Sequence, residues 1–274
     1  MKHITKKIFI VATIVVFAVI IVWEIFMWNF MNDIDKIFSN YKYTEIVSEF
    51  FTLRYYEKDN YYEITGTTEQ GNNQRFLVIS EYIDGVKVHA LGYNAPFRLY
   101  EPDIKSDVIE KVYFEDEIEE INSHSFRDCP NVEKVMYPAA DSTAESIGRG
   151  GITVYCPRKM YEEEYGTTYI SYKRCLRANV SYYYNYEGAE HDGYYWIDDC
   201  DYGGTIEYVP VAPKREGYTF AGWYKEAECL NAWDFDTDTL PEEKKEVEEV
   251  YKNGDYVFEE IVIYQETILY AKWV

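Results

Sequence analysis

Positive charge is scarce in this chain. Its 27 lysines and arginines stand against 49 aspartates and glutamates, a net charge of −22 over 274 residues. A field of that sign repels phosphate backbones and anionic headgroups, which argues against nucleic acid as a partner. Cysteine is sparse and scattered. Cys129, Cys156, Cys175, Cys200 and Cys229 form no C-x-x-C pair, and His3, His89, His124 and His191 lack ligand spacing. A structural zinc site is therefore not expected, and without a D-x-[DN]-x-[DN]-G loop neither is a calcium site. An odd number of thiols leaves at least one unpaired within the chain. A Cys200–Cys229 bridge is compatible with the sequence but not fixed by it. G-x-S-x-G, H-E-x-x-H, a P-loop and a glycine-rich dinucleotide turn are all missing. No spacing singles out two carboxylates as a glycosidase pair. The expectation is a protein with no catalytic site, cofactor or metal.

What the chain has in excess is tyrosine, at 30 residues, within a hydrophobic content of 47%. That content supports real cores, and the length gives room for about two domains. Tyrosine suits half-buried strands, with one edge packed and the hydroxyl reaching water. The composition predicts a mainly β (α+β) fold.

Lys2, Lys6 and Lys7 precede an unbroken apolar run from Ile8 to Trp23; Glu24 interrupts it, and IFMWNFM continues to Met31. A bilayer span needs about 20 helical residues, so residues 8–31 are expected to form a transmembrane helix. No A-x-A site follows, so the helix reads as a retained signal-anchor. Trp23 and Trp28 suit an interfacial belt. By the positive-inside rule the N-terminus lies in the cytoplasm and the rest outside. No sortase-type C-terminal signal is visible, so anchoring is expected to rest on this single pass. Ile34, Ile37, Phe38 and Tyr41 then suggest a juxtamembrane helix or linker over 32–47.

A hairpin is expected around Asp59-Asn60. Repeats follow: LVISEYIDGVKVHALGYNAPF, VYFEDEIEEINSHSFRDCP and VEKVMYPAADSTAESIGRGGITVYCP share a rhythm of apolar strand, turn and paired apolar residues. Val88 and Leu91 fall thirty residues before Ile118 and Ile121. One such unit leaves an apolar face open, and stacking closes it.

Ile118, Ile121, Ser125-Phe126, Cys129, Val132 and Val135 resemble the unit of the BspA-like leucine-rich repeat. Asn122 departs from the usual glycine, and Phe97–Ser106 departs in spacing. The resemblance covers about Glu49 to Cys175 and implies a short leucine-rich-repeat solenoid over 48–176, closed by the strand-and-helix cap ITVYCPRKMYEEEYG. Cys129 reads as a small core side chain and His124 as an exposed turn residue.

Beyond Cys175 the texture becomes aromatic. Tyr202-Gly203-Gly204, Pro213, Gly217-Tyr218-Thr219-Phe220-Ala221-Gly222-Trp223-Tyr224, Cys229, Trp233-Asp234-Phe235 and Leu269-Tyr270-Ala271-Lys272-Trp273 closely resemble the internalin B-repeat, also called the Listeria–Bacteroides repeat. The resemblance implies a small β-grasp-like domain over 177–274, of a kind found on bacterial surface proteins. A body of under about 100 residues relies on large side chains for its core, so Trp223 and Trp233 are read as core residues. Tyr182, Tyr183, Tyr184 and Tyr186 are the candidate ligand-facing aromatics, because a strand turns some of them outwards. An insertion at about 241–265 reads as a helix begun by Pro241 and ended at Asn253-Gly254, then a strand from Tyr256 to Tyr264. The sequon Asn179-Val180-Ser181 is read as coincidence.

These features predict a single-pass bacterial membrane protein, anchored through residues 8–31, whose outer part binds an extracellular protein or glycan without catalysis. The alternative is a structural spacer or sensory ectodomain of an envelope complex. Two compact, mutually independent bodies are expected outside the membrane.

Overall fold

A computed structural model describes residues 42–92, 104–140, 143–144, 147, 151–165, 175–252 and 255–274. Alternating apolar and polar residues open the described chain with three antiparallel strands: β1 (Thr44–Val47), β2 (Phe51–Tyr56) and β3 (Tyr61–Thr67). The β2–β3 turn falls at the Asp59-Asn60 position, where Asn60 takes a left-handed φ of 54°. A short helix α1 (Glu69–Asn72), capped by the Thr68 hydroxyl, leads to β4 (Phe76–Ile79), β5 (Tyr82–Ile83) and β6 (Val86–Leu91). Gly71 is required here, since a Cβ would lie 2.2 Å from the Phe50 carbonyl oxygen.

The strands that follow are β7 (Lys111–Phe114), β8 (Glu120–Ile121), β9 (Lys134–Met136), β10 (Thr153–Cys156) and β11 (Leu176–Arg177), with helix α2 (Arg158–Tyr165) between the last two. They stack in two ladders. One sheet runs β4, β7, β9, β10, β11 in sequence order, all pairs parallel. The other includes β3, β6 and β8, where Leu91 sits opposite Ile121. The thirty-residue offset in the sequence is therefore the register of the β6–β8 pair.

Period-two alternation in the parallel ladder makes two rows. Leu77, Val112, Val135 and Val154 stand side by side and are buried in a first core with Leu53, Ile64 and Ile109. Each fully buried aliphatic side chain contributes roughly 1.5–3 kcal/mol. Val78, Tyr113, Met136 and Tyr155 form the opposite row. They meet a second core built by the C-terminal strands.

Those strands are β12 (Val180–Tyr183), β13 (Tyr194–Asp198), β14 (Phe220–Tyr224) and β17 (Thr267–Trp273), in the order β13-β12-β17-β14 with β12 and β17 parallel. Leu269 and Ala271 of β17 point into the core, as does Trp223 of β14. Trp233 is half-buried against it. Between β13 and β14 the chain runs without helix or strand over 201–219. Two further strands, β15 (Lys245–Lys252) and β16 (Asp255–Val262), pair only with each other.

Several expectations are corrected. Mainly β stands, but the N-terminal transmembrane helix in the predicted fold class does not. No helix among the described residues is long and apolar enough to cross a membrane. The longer of α1 and α2 has 8 residues, rising about 12 Å against a hydrocarbon core of about 30 Å. The segment 8–31 assigned to that helix lies outside the described residues, as does most of the 32–47 linker, whose end is strand β1. The departure at 97–106 also falls largely outside them. The expected helix after Pro241 is strand β15. The two bodies are not mutually independent, because Tyr113 and Met136 lie in the second core. No Cys200–Cys229 bridge exists; all five thiols are free. Cys129 is buried and His124 exposed. Asn179 is buried, exchanging hydrogen bonds with the Cys200 backbone, so its sequon is no surface site.

Candidate functional site

The four tyrosines at 182–186 do not form one face. Tyr182 points inward from β12, is fully buried and meets Trp223 edge-on at 4.9 Å between ring centroids. It cannot face a ligand. Tyr183 emerges on the opposite face against Tyr194 (4.5 Å) and Tyr270 (5.9 Å). There, with Arg158, Lys159, Glu162 and Glu266, it borders a shallow cleft of about 410 Å³. Tyr184 and Tyr186 lie past the end of β12. Asn185 takes a left-handed φ of 56°, and its side-chain amide donates to the carbonyls of Ala227 (2.9 Å) and Ala271 (3.2 Å). That turn swings Tyr186 towards the rim of the sheet.

At the rim stands a shelf that reading the tyrosines alone missed. The Arg215 guanidinium lies 3.7 Å from the Tyr218 ring centroid, 4.2 Å from that of Tyr186 and 5.9 Å from that of Trp273. Trp273 is oriented by its indole N–H, which donates to the Tyr184 carbonyl at 2.6 Å. Tyr218 is 51% exposed, so the shelf opens to solvent. Gly217, at φ +77°, makes the turn that brings Tyr218 back under Arg215, and the Tyr218 N–H donates to the Arg215 carbonyl. The other described arginines each have a carboxylate within ion-pair distance: Arg54, Arg75, Arg127, Arg158 and Arg177. Arg215 has none among the described residues, and its cation rests on aromatic faces instead. The signal in the sequence was the REGYTF run, where a glycine turn sets an arginine and a tyrosine side by side.

The second feature is the seam between the cores. The Lys111 ammonium donates to Asp198 Oδ1 (3.0 Å) and the Asp199 carbonyl (2.9 Å). Lys134 donates to Asp199 Oδ2 (2.8 Å), and the Tyr113 hydroxyl donates to Asp198 Oδ1 (3.1 Å). Burial pushes the Asp199 carboxyl above the usual carboxylate range, partly offset by Lys134. Burial, with Asp198 beside it, pushes the Cys200 thiol up, so it is no thiolate nucleophile. A polar cleft of about 750 Å³ runs along this seam, lined by Arg75, Glu110, Lys111, Lys134, Asp199 and Glu207. Lys111, Lys134, Asp198 and Asp199 are bonded to one another across it. The arrangement is a clamp between the halves. No group of three His, Cys, Asp or Glu residues that could hold a metal occurs among the described residues.

Residues 180–247 match the Listeria-Bacteroides repeat domain family. The chain is similar to a putative membrane protein of Evansella cellulosilytica, 42% identical over 45 residues, which cover 16% of this chain and 7% of that protein. A putative Gly-rich membrane protein of the same organism is 45% identical over 42 residues, 15% of this chain and 5% of the relative. Internalin H of Listeria monocytogenes is 53% identical over 34 residues, 12% of this chain and 6% of that protein. The match thus spans only a small part of each relative's own length. No solved structure matches the chain.

Proposed function

We propose that this is a non-catalytic interaction protein displayed at the surface of a bacterial cell, its described part facing outward. The observation that carries this is the Listeria-Bacteroides repeat domain at 180–247, with likenesses to a protein named Internalin H and to two named as putative membrane proteins. The parallel ladder from β4 to β11 supports the finer reading of its N-terminal half as BspA-like leucine-rich repeats, since one apolar position per unit stacks in register. The contact site is the shelf of Arg215, Tyr186, Tyr218 and Trp273. The exposed Tyr218 ring and the Arg215 cation, stacked beside Tyr186 and the strand residue Trp273, suit an anchor for an extracellular protein or glycan. The net charge of −22 opposes nucleic acid.

Arrays of glycans and of extracellular proteins probed with the protein and with its Arg215→Ala/Tyr218→Ala variant test this. The reading expects a partner whose binding the variant weakens by about 2 kcal/mol or more, the range of interface hot spots. Equal binding by both proteins to every partner contradicts it.

A further inference from the structure

The hairpin β15–β16 is built as a surface for something else to cover. Its strands pair over eight residues each, from Lys245 opposite Val262 to Lys252 opposite Asp255, and neither pairs with a third described strand. Residues opposite each other in an antiparallel pair share a face. Val247 is opposite Glu260, Glu249 opposite Phe258, and Val262 opposite Lys245, so Val247, Phe258 and Val262 stand on one side together with Tyr256. On that side Val247 is 64%, Tyr256 70%, Phe258 75% and Val262 46% exposed. A two-stranded hairpin alone in water is marginal, and a large apolar patch on one marks an interaction site.

Charge selects the occupant. Strands β15 and β16 carry six carboxylates against two lysines; the apolar face itself carries Glu249 and Glu260, with Lys245 at its end paired to Glu243 at 2.9 Å. A second copy would bring the same acidic hairpin and another net charge of −22. Anionic lipid and nucleic acid meet the same repulsion. We infer that this face of the β15–β16 hairpin docks a basic segment of a partner protein, one that lays apolar side chains on Val247 and Phe258 and Lys or Arg beside Glu249 and Glu260. This surface is separate from the Arg215 shelf and does not depend on where the protein is displayed.

The test is titration of the full chain with a synthetic extended peptide alternating lysine with valine and phenylalanine, and with its glutamate-for-lysine twin. The lysine peptide is expected to bind, and to weaken as salt rises. Val247→Ser/Phe258→Ser is expected to lose about tenfold or more in affinity, as for loss of a buried aromatic anchor. Glu249→Lys/Glu260→Lys leaves the apolar residues in place and is expected to lose binding too. Unchanged melting temperatures in both variants separate this from misfolding. No binding of the lysine peptide, equal binding by the glutamate twin, or insensitivity to either double variant overturns the inference. So does self-association in analytical ultracentrifugation that Val247→Ser/Phe258→Ser abolishes, because the occupant would then be a second copy.

Discussion

Single hydroxyls and carboxyls in this protein have opposite effects according to whether they found partners. The Tyr113 hydroxyl donates to Asp198 across the seam. Tyr113→Phe removes a hydrogen bond to a charged acceptor and is expected to cost about 1.5–3 kcal/mol by chemical denaturation. The Tyr182 hydroxyl is buried with no hydrogen-bonding partner among the described residues. Tyr182→Phe keeps the ring on Trp223 and is expected to leave stability unchanged or raise it. Glu63 shows the acid counterpart. Burial pushes its carboxyl up, partly offset by the Tyr56 hydroxyl and Arg54. A folded pKa above the unfolded one means the folded state holds the proton more tightly. The stabilisation is therefore fully present below the unfolded pKa and is lost as pH rises through the folded value. Denaturation of wild type and Glu63→Gln between about pH 4 and 7 is expected to give wild type the steeper loss of stability with rising pH. Parallel slopes would mean that Glu63 titrates as it does in the unfolded chain.

Elements separate what local pattern settles from what it leaves open. The stacking of β6 on β8 was legible because Leu91 and Ile121 recur at a fixed offset, and β17 because Leu269, Ala271 and Trp273 alternate with Ile268, Tyr270 and Lys272. The hairpin was half legible. Val247, Val250 and Tyr251 fit a helical face and KEVEEVYK does not alternate, yet its branched and aromatic residues favour a strand once DYVFEEIV pairs with it. A pairing partner, which no window on one segment contains, decided the outcome. Replacing 245–262 by a short glycine-serine loop is expected to shift the melting temperature by no more than a few degrees, since neither strand contributes a described side chain to either core. Which of Tyr182, Tyr183, Tyr184 and Tyr186 turn outwards was not legible, because the pairing that sends Tyr182 inward and the Asn185 turn past Tyr183 are not in the run itself. The Arg215 shelf was half legible: Tyr218 lies in the same REGYTF run, but Tyr186 and Trp273 come from distant segments.

At the scale of the whole molecule, the seam makes two sequence domains one folded body. Tyr113 stacks on Trp196 at 5.2 Å and on Tyr208 at 4.8 Å, and Phe76 meets Tyr208 edge-on at 5.7 Å. Independent domains would melt separately; shared packing predicts one transition. Calorimetry on the full chain is expected to give a single endotherm, and a piece covering 178–274 alone to be destabilised by the loss of Tyr113 and Met136 from its core. Two resolved transitions would contradict the shared core. Surface display is the central claim of the proposed function. The most direct test of that display is protease treatment of intact cells followed by mass spectrometry of the released peptides. Peptides from the 245–262 segment are expected in the supernatant before any cytosolic marker appears. Full protection of the chain until the cells are lysed would contradict surface display.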